Sequence, residues 1–231
     1  MIPKIIWQTH EPEYLDLKNN QLNVIHTWKN LNPDWEHKYV SSKSREKDIE
    51  SFDSFLYECY KASSGVNQAD IWRLVTIYNN GGFYADMDSI CLMTLDDLLL
   101  NDYNNQEMIC TPPGYQTDSY ENCSNNSNFA AVKNSTIIKS MLDKIILEYK
   151  KEKIMLEAKG SSLNSLVDGY PCWQIFCDIC SINKDKILFN KDYVKHCHDF
   201  KDKFEEDIVV LYKGQKIKYS TLSISNNWNI Y

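Results

Sequence analysis

Two carboxylates one residue apart close the segment Phe83-Tyr84-Ala85-Asp86-Met87-Asp88-Ser89. On an extended chain side chains alternate with a period of two, so Asp86 and Asp88 are expected on the same side at the end of an apolar strand. Two like charges in one small volume repel, which raises a pKa or calls in a cation, and hard oxygen donors at a strand end suit Mg²⁺ or Mn²⁺. The same spacing also caps exposed strand ends that do nothing, so context has to decide. Upstream, Asp70 and Arg73 stand three apart, on one face of a segment that is otherwise apolar. Burying charge is costly without a partner. The pair is therefore either a structural ion pair or a site in which Arg73 meets a phosphate and Asp70 a sugar or ribose hydroxyl.

These residues need elements to hold them. Residues 66–80 are nearly all apolar apart from Asp70, Arg73 and a few uncharged polar positions, which predicts a helix buried on most of its circumference. Asn79-Asn80-Gly81-Gly82 stops it, because Asn and Gly accept the left-handed backbone of a helix C-cap, and a strand over 83–87 follows. Helix, glycine stop, aromatic strand and acidic end, in that order, predict an α/β unit whose strand C-terminus faces a ligand crevice. Elsewhere the pattern predicts a short buried strand over 2–8, a helix over 15–31 closed by Asn32-Pro33, a strand over 35–40 and a helix over 52–62, with a polar stretch at 41–50. Residues 101–128, rich in Asn and Tyr and containing Pro112-Pro113-Gly114, predict a long loop region of the kind that carries function. An amphipathic helix over 135–157, an apolar stretch over 163–180, a charge-alternating solvated face over 183–207 and a strand over 207–213 complete the chain.

The 231 residues carry 25 Lys and Arg against 32 Asp and Glu, a formal charge of -7. That balance excludes the basic footprint of a nucleic-acid binder, so any anionic ligand has to be met by a local device. The N-terminal Met-Ile-Pro-Lys-Ile-Ile-Trp is far short of a signal-peptide core or a membrane span, which gives the expectation of a cytoplasmic chain with no transmembrane segment. Eight Cys lie scattered through apolar segments and read as free, mostly buried thiols. Cys172, Cys177 and Cys180, with His196, Cys197 and His198, could be zinc ligands. Their apolar neighbours Trp173, Ile175, Phe176 and Ile179 favour small residues on a buried helix instead. The sequons at Asn122, Asn125 and Asn134 matter only in a secretory lumen. No Gly-x-Gly-x-x-Gly or phosphate-loop lysine motif occurs, and Gly81-Gly82 precedes a strand, the wrong order for either.

The ordered run from Gln68-Ala69-Asp70-Ile71-Trp72-Arg73 to Asn79-Asn80-Gly81-Gly82-Phe83-Tyr84-Ala85-Asp86-Met87-Asp88 resembles the core of glycosyltransferase family 32, with its sugar-binding Asp-x-Asp region. Ile2 to His10 and Trp28 to Glu36 resemble two further blocks of that family, so the resemblance covers most of residues 1–100. It implies a GT-A fold: a single α/β domain over 1–231 with a mixed, mostly parallel sheet flanked by helices. Residues 1–100 would bind the nucleotide sugar, and 101–231 would shape the acceptor and donor-sugar side. The implied activity is a retaining, Mn²⁺- or Mg²⁺-dependent transfer of a hexose from a UDP- or GDP-sugar to a glycan, lipid or protein hydroxyl. The catalytic domains of clostridial glucosylating toxins share the Asp-x-x-Arg and Tyr-x-Asp-x-Asp spacing. Carried over by position, Asp70 and Asp86 would touch ribose or donor sugar, Arg73 the donor, Tyr84 the nucleotide side, and Asp88, with Asp86, the metal. Trp7 would stack on the base beside a substrate-binding Gln8, and Asn226 and Trp228 would close over the diphosphate. Where the family commonly has His and Trp, this chain has Trp7 and His10. A catalytically idle carbohydrate- or nucleotide-sugar-binding protein on the same fold is the alternative.

Overall fold

The computed structural model describes residues 1–101, 106–112, 124, 126–160, 172–190, 192–196, 208–212 and 215–219. The chain opens with β1 (Ile5–His10), α1 (Asn19–Leu31) and β2 (Glu36–Ser41), followed by α2 (Ser42–Phe52), α3 (Ser54–Ala62) and α4 (Gly65–Asn80). Next come β3 (Gly82–Ala85), β4 (Ser89–Cys91), α5 (Leu95–Asn101), β5 (Met108–Cys110) and β6 (Asn128–Ala131). The second half supplies α6 (Thr136–Ala158), α7 (Cys172–Ile182), β7 (Ile187–Phe189), β8 (Val194–His196), β9 (Ile208–Tyr212) and β10 (Gln215–Tyr219).

Among the described residues six strands form the central sheet, in the order β2-β1-β3-β6-β5-β7. β6 alone runs against the others: β1 is parallel to β2 and β3, β6 is antiparallel to β3 and β5, and β5 is parallel to β7. The sheet is thus mixed and mostly parallel, as expected, and its alternating side chains feed two cores. Trp7, Tyr84, Phe129 and Cys110 point to the side covered by α2, α3, α4, α6 and α7. Ile6, Phe83, Ala130 and Ile109 point to the side covered by α1, β4 and α5. Such two-sided burial is why the inner strands β3, β5 and β6 are nearly all apolar, while the edge strand β2, mostly half-buried, carries Glu36, His37 and Lys38.

Three differences from the sequence reading have physical causes. The polar stretch at 41–50 is α2, in which only Arg45 and Ile49 are buried and Phe52 packs part-buried at the end. Two positions four apart, one of them charged, leave no apolar period to read. Within 101–128 the chain forms β5 and begins β6, strands of three and four residues too short to show alternation. The strand expected over 83–87 ends at Ala85, because the amide of Ser89 donates to the carbonyl of Asp86 at 3.1 Å and folds Asp86–Ser89 into a turn. Asp86 and Asp88 are therefore set by turn geometry, and strand alternation does not apply to them.

Cys172, Cys177 and Cys180 sit on the buried face of α7, as small apolar residues would. Cys59, Cys91, Cys110, Cys172 and Cys180 are free, whereas Cys177 is in a disulfide whose partner lies outside the described residues, a correction to the expectation of free thiols. Among the described residues no helix is long and apolar enough to cross a membrane.

The longest helix has a pH-sensitive anchor. At the start of α6, the Glu107 carboxylate accepts from the Thr136 amide at 2.8 Å, the Thr136 hydroxyl at 2.9 Å and the Ser135 hydroxyl at 3.2 Å. Partial burial works against its charge, but these donors, with Lys186 nearby, hold its carboxyl below the usual range. A carboxyl depressed on folding contributes stability that is full above the unfolded pKa, near 4.5, and is lost as pH falls through the folded value. Glu107→Gln is expected to cost about 1 kcal/mol at pH 7. Denaturant titrations should show the gap from wild type closing below about pH 4.5.

Candidate active site

β1 has β2 on one side and β3 on the other, so the chain leaves it in opposite directions. In open α/β sheets such a reversal leaves a crevice beyond the strands' carboxyl ends. Here the ends of β1 and β3 carry His10 and the Asp86–Ser89 turn. Two glycines make the approach possible. Gly82 has φ +103°, and a Cβ there would lie 2.6 Å from the carbonyl oxygen of Ile5, so only glycine lets β3 run this close to β1. Gly81, at φ +69°, sits equally tightly against Pro3 and the amide of Lys133.

One guanidinium organises the groups beside this turn. Arg73, 6% exposed, places Nη2 3.1 Å from Oδ1 of Asp70 and 3.2 Å from Oδ1 of Asp86, while Nη1 donates to the carbonyl of Asn126 at 2.8 Å. Its Cζ lies over the Tyr84 ring, 4.5 Å from the ring centre, and the Tyr84 hydroxyl donates to Oδ1 of Asp86 at 2.5 Å. Asn126 closes the loop by donating to Oδ1 of Asp70 at 3.1 Å. Burial opposes the charge on Arg73, yet Asp86 foremost, then Tyr84 and Asp70, hold its pKa above the ordinary value. Burial pushes the Asp70 carboxyl up against the pull of Arg73 and Asn126. It also lifts the Tyr84 phenol well above its usual range, so Tyr84 stays a donor to Asp86.

The turn itself is held on several sides. The Asp86 amide donates to the carbonyl of Ser127 at 2.8 Å, and the indole N–H of Trp28 donates to the carbonyl of Ser89 at 2.8 Å. Asn128 donates to Oγ of Ser89 at 2.9 Å, and that hydroxyl lies 3.5 Å from Oδ1 of Asp88. Asp86 and Asp88 are partly exposed, in contrast to the buried Asp70. Burial keeps the pKa of His10 low, and its charged surroundings include Glu11, Arg45 and Asp88.

The structure thus joins Asp70, Arg73 and Asp86, named from their spacing, with Tyr84, named from the resemblance, and places Asp88 two residues on in the same turn, beside Ser89. Trp7 lies beside Tyr84 across the β1–β3 pairing, but buried in the core. Trp7 is 7% exposed, its indole N–H donates to the carbonyl of Gly81 at 3.0 Å, and its ring meets Trp72 edge-on with Lys38 5.0 Å from its centre. Its place is in the core on the α4 side of the sheet. Gln8 is fully buried and bonded at both ends within the protein, to His37 and to the carbonyl of Asp86. Asn226 and Trp228 lie outside the described residues. Sequence reasoning passed over Asn126, which stands in an Asn-rich stretch where no periodic signal marks one amide above the next. Its signal is tertiary: it bonds Asp70 with its side chain and Arg73 with its backbone.

A metal ion fits this donor set in one particular way. Among the described residues no group of three His, Cys, Asp or Glu side chains could hold an ion by itself. A turn that offers hard carboxylate oxygens suits Mg²⁺ or Mn²⁺ held by one or two carboxylates together with substrate phosphates.

A sheet of this order with an acidic turn at its reversal point has the GT-A architecture of nucleotide-sugar-dependent glycosyltransferases. The glycosyltransferase domain of the YGT toxin shares the fold, ligand-free with a TM-score of 0.54 at 10% identity, over 83% of this chain and 80% of that one. In its UDP-bound form the TM-score is 0.52 at 9% identity, over 84% and 80%. Residues 18–106 match the family described as glycosyltransferase sugar-binding region containing DXD motif. The chain is 30% identical to the initiation-specific alpha-1,6-mannosyltransferase of Candida albicans over 113 residues, 46% of this chain and 28% of that protein. It is 31% identical to inositol phosphoceramide mannosyltransferase 3 of Schizosaccharomyces pombe over 99 residues, 42% and 27%. The matches therefore span between a quarter and a third of the length of these curated relatives.

Proposed function

We propose that the protein is a retaining, metal-dependent glycosyltransferase that moves a hexose from a UDP- or GDP-sugar to a hydroxyl of a glycan, lipid or protein acceptor. The observation that carries this reading is the Asp70–Arg73–Asp86–Tyr84 network beside the Asp88 turn, at the reversal point of the sheet. Carboxylates accept hydrogen bonds only, so Asp70 and Asp86 are suited to sugar or ribose hydroxyls. Arg73 and Tyr84 aim the Asp86 carboxylate, and Asn126 aims Asp70. With three carboxylates against one guanidinium, the crevice stays acidic and repels a diphosphate. Asp88 with Asp86 would hold Mn²⁺ or Mg²⁺, which would supply Lewis-acid neutralisation of the departing nucleoside diphosphate. In this reading Arg73 chiefly supports the donor-binding carboxylates, because four of its five N–H donors are directed at Ala69, Asp70, Asp86 and Asn126.

Calorimetric titration of UDP and of GDP, each with and without Mn²⁺, tests the proposal. Binding of one nucleotide that requires the metal is the expected result, and metal-independent or absent binding of both would overturn it. Release of free sugar from the matching nucleotide sugar without acceptor separates a catalyst from an idle binding protein, which would release none.

A further inference from the structure

Gln8 has no route to a substrate, yet it is a fully buried amide, and buried amides are kept only where their hydrogen bonds are made. Its two ends face different partners. Oε1 lies 2.8 Å from Nε2 of His37 on β2, and Nε2 donates to the carbonyl of Asp86 at 3.4 Å. Because the amide N–H is spent on Asp86, the Oε1 end has to accept, and His37 has to present its proton on Nε2. That carbonyl also closes the turn by accepting from the Ser89 amide. One oxygen is thus held from within the turn and from the neighbouring strand.

We infer that His37, acting through Gln8, is a positioning residue for the acidic turn. The inference deepens the proposed function, since it rests on reading that turn as the donor and metal site. The path runs across three adjacent strands, β2, β1 and β3. His37 fixes the rotation of the Gln8 amide, the amide fixes the Asp86 carbonyl, and the carbonyl fixes the peptide that leads to Asp88. Burial, with Lys29 and His26 nearby, lowers the His37 pKa to about 4, so the ring stays neutral through the working range and the relay does not switch. An imidazole with the opposite tautomer would turn the Gln8 amide over and set its oxygen against the Asp86 carbonyl.

Three variants test this: Gln8→Leu, which removes the donor to Asp86, His37→Phe, which removes the donor to Gln8, and His37→Gln, which restores one. Amide hydrogen exchange at Ser89, measured against the Phe83 amide of the core, reports the turn without any ligand. Mn²⁺ affinity in the presence of UDP, or of GDP if that is the nucleotide bound, reports the site. Gln8→Leu and His37→Phe are expected to speed Ser89 exchange about tenfold relative to Phe83, the loss of one hydrogen bond. They should also weaken Mn²⁺ about tenfold, while His37→Gln recovers most of both. A purely structural role would lower the unfolding midpoint with Ser89 and Phe83 exchange moving together, and that result overturns the inference, as does unchanged exchange. If Gln8→Leu does not fold, the partly exposed His37 position carries the test. If the wild type binds no Mn²⁺ with either nucleotide, the functional proposal fails while Ser89 exchange still decides the relay.

Discussion

Asp88→Ala is expected to lower donor turnover about 100- to 1,000-fold, the scale of losing a pre-aimed electrostatic contact to the departing charge. Its unfolding midpoint should stay close to that of the wild type. The asymmetry follows from where the residue sits. Asp88 is partly exposed on a turn fastened by other groups, through the Asp86 amide, the Ser89 carbonyl and the Gln8 amide. Removing a partly exposed side chain away from the core changes stability by about 0.5 kcal/mol or less. Metal-dependent nucleotide binding should disappear with the activity. A variant that keeps both would remove Asp88 from the metal site, and one that loses the fold would reassign it to structure.

Arg73→Ala is expected to damage stability and activity together. Arg73 stands between two carboxylates, Asp70 and Asp86, and Asp70 is only 6% exposed. Removing one member of a buried ion pair leaves charge uncompensated at a cost of about 3–5 kcal/mol. For a chain of this size the midpoint should fall by roughly 6–20 °C. The pH dependence has a definite sign. Burial already raises the Asp70 carboxyl and Arg73 is the leading force against that shift, so without Arg73 its folded pKa climbs further. A carboxyl raised on folding binds more protons in the folded state, so stability falls as pH rises from the unfolded value through the folded one. The variant should therefore recover part of its deficit on acidification towards pH 5. Adding Asp70→Asn should also recover part of it at neutral pH, because the double variant buries one fewer orphaned charge. Thermal melts of the single and double variants between pH 5 and 8 check both statements. A deficit independent of pH would show that the cost is a cavity and not a charge.

The parts of this molecule legible in its residue order are those with dense local signals. A nearly continuous apolar run with two charges and a double-glycine stop marks α4 and β3, and both lie within a residue or two of their expected bounds. The helices α1, α3 and α6 were equally visible from their apolar spacing. The element α2 was not, because its buried face consists of a charged residue paired across the chain with Glu11 and a single isoleucine. β5 escaped notice because a three-residue strand has no room for a period. Residue order also misplaced the bounds of β1, expected over 2–8, whereas in the fold the strand runs on to His10 with Trp7 and Gln8 buried within it.

Residue order alone determined which chemistry the chain can offer: an aspartate and an arginine one helical step apart, then a tyrosine and two aspartates after a glycine stop. Spacings within one helix or one tight segment are fixed by local geometry, so no distant part of the chain is needed to read them. Only the tertiary structure decided how those groups divide the work. The turn at Asp86–Ser89, the shared guanidinium between Asp70 and Asp86, and the bonds from Asn126, Gln8 and His37 join residues from separate strands and loops. Such contacts depend on which strands lie side by side, and strand order is settled by how the two faces of the sheet are buried.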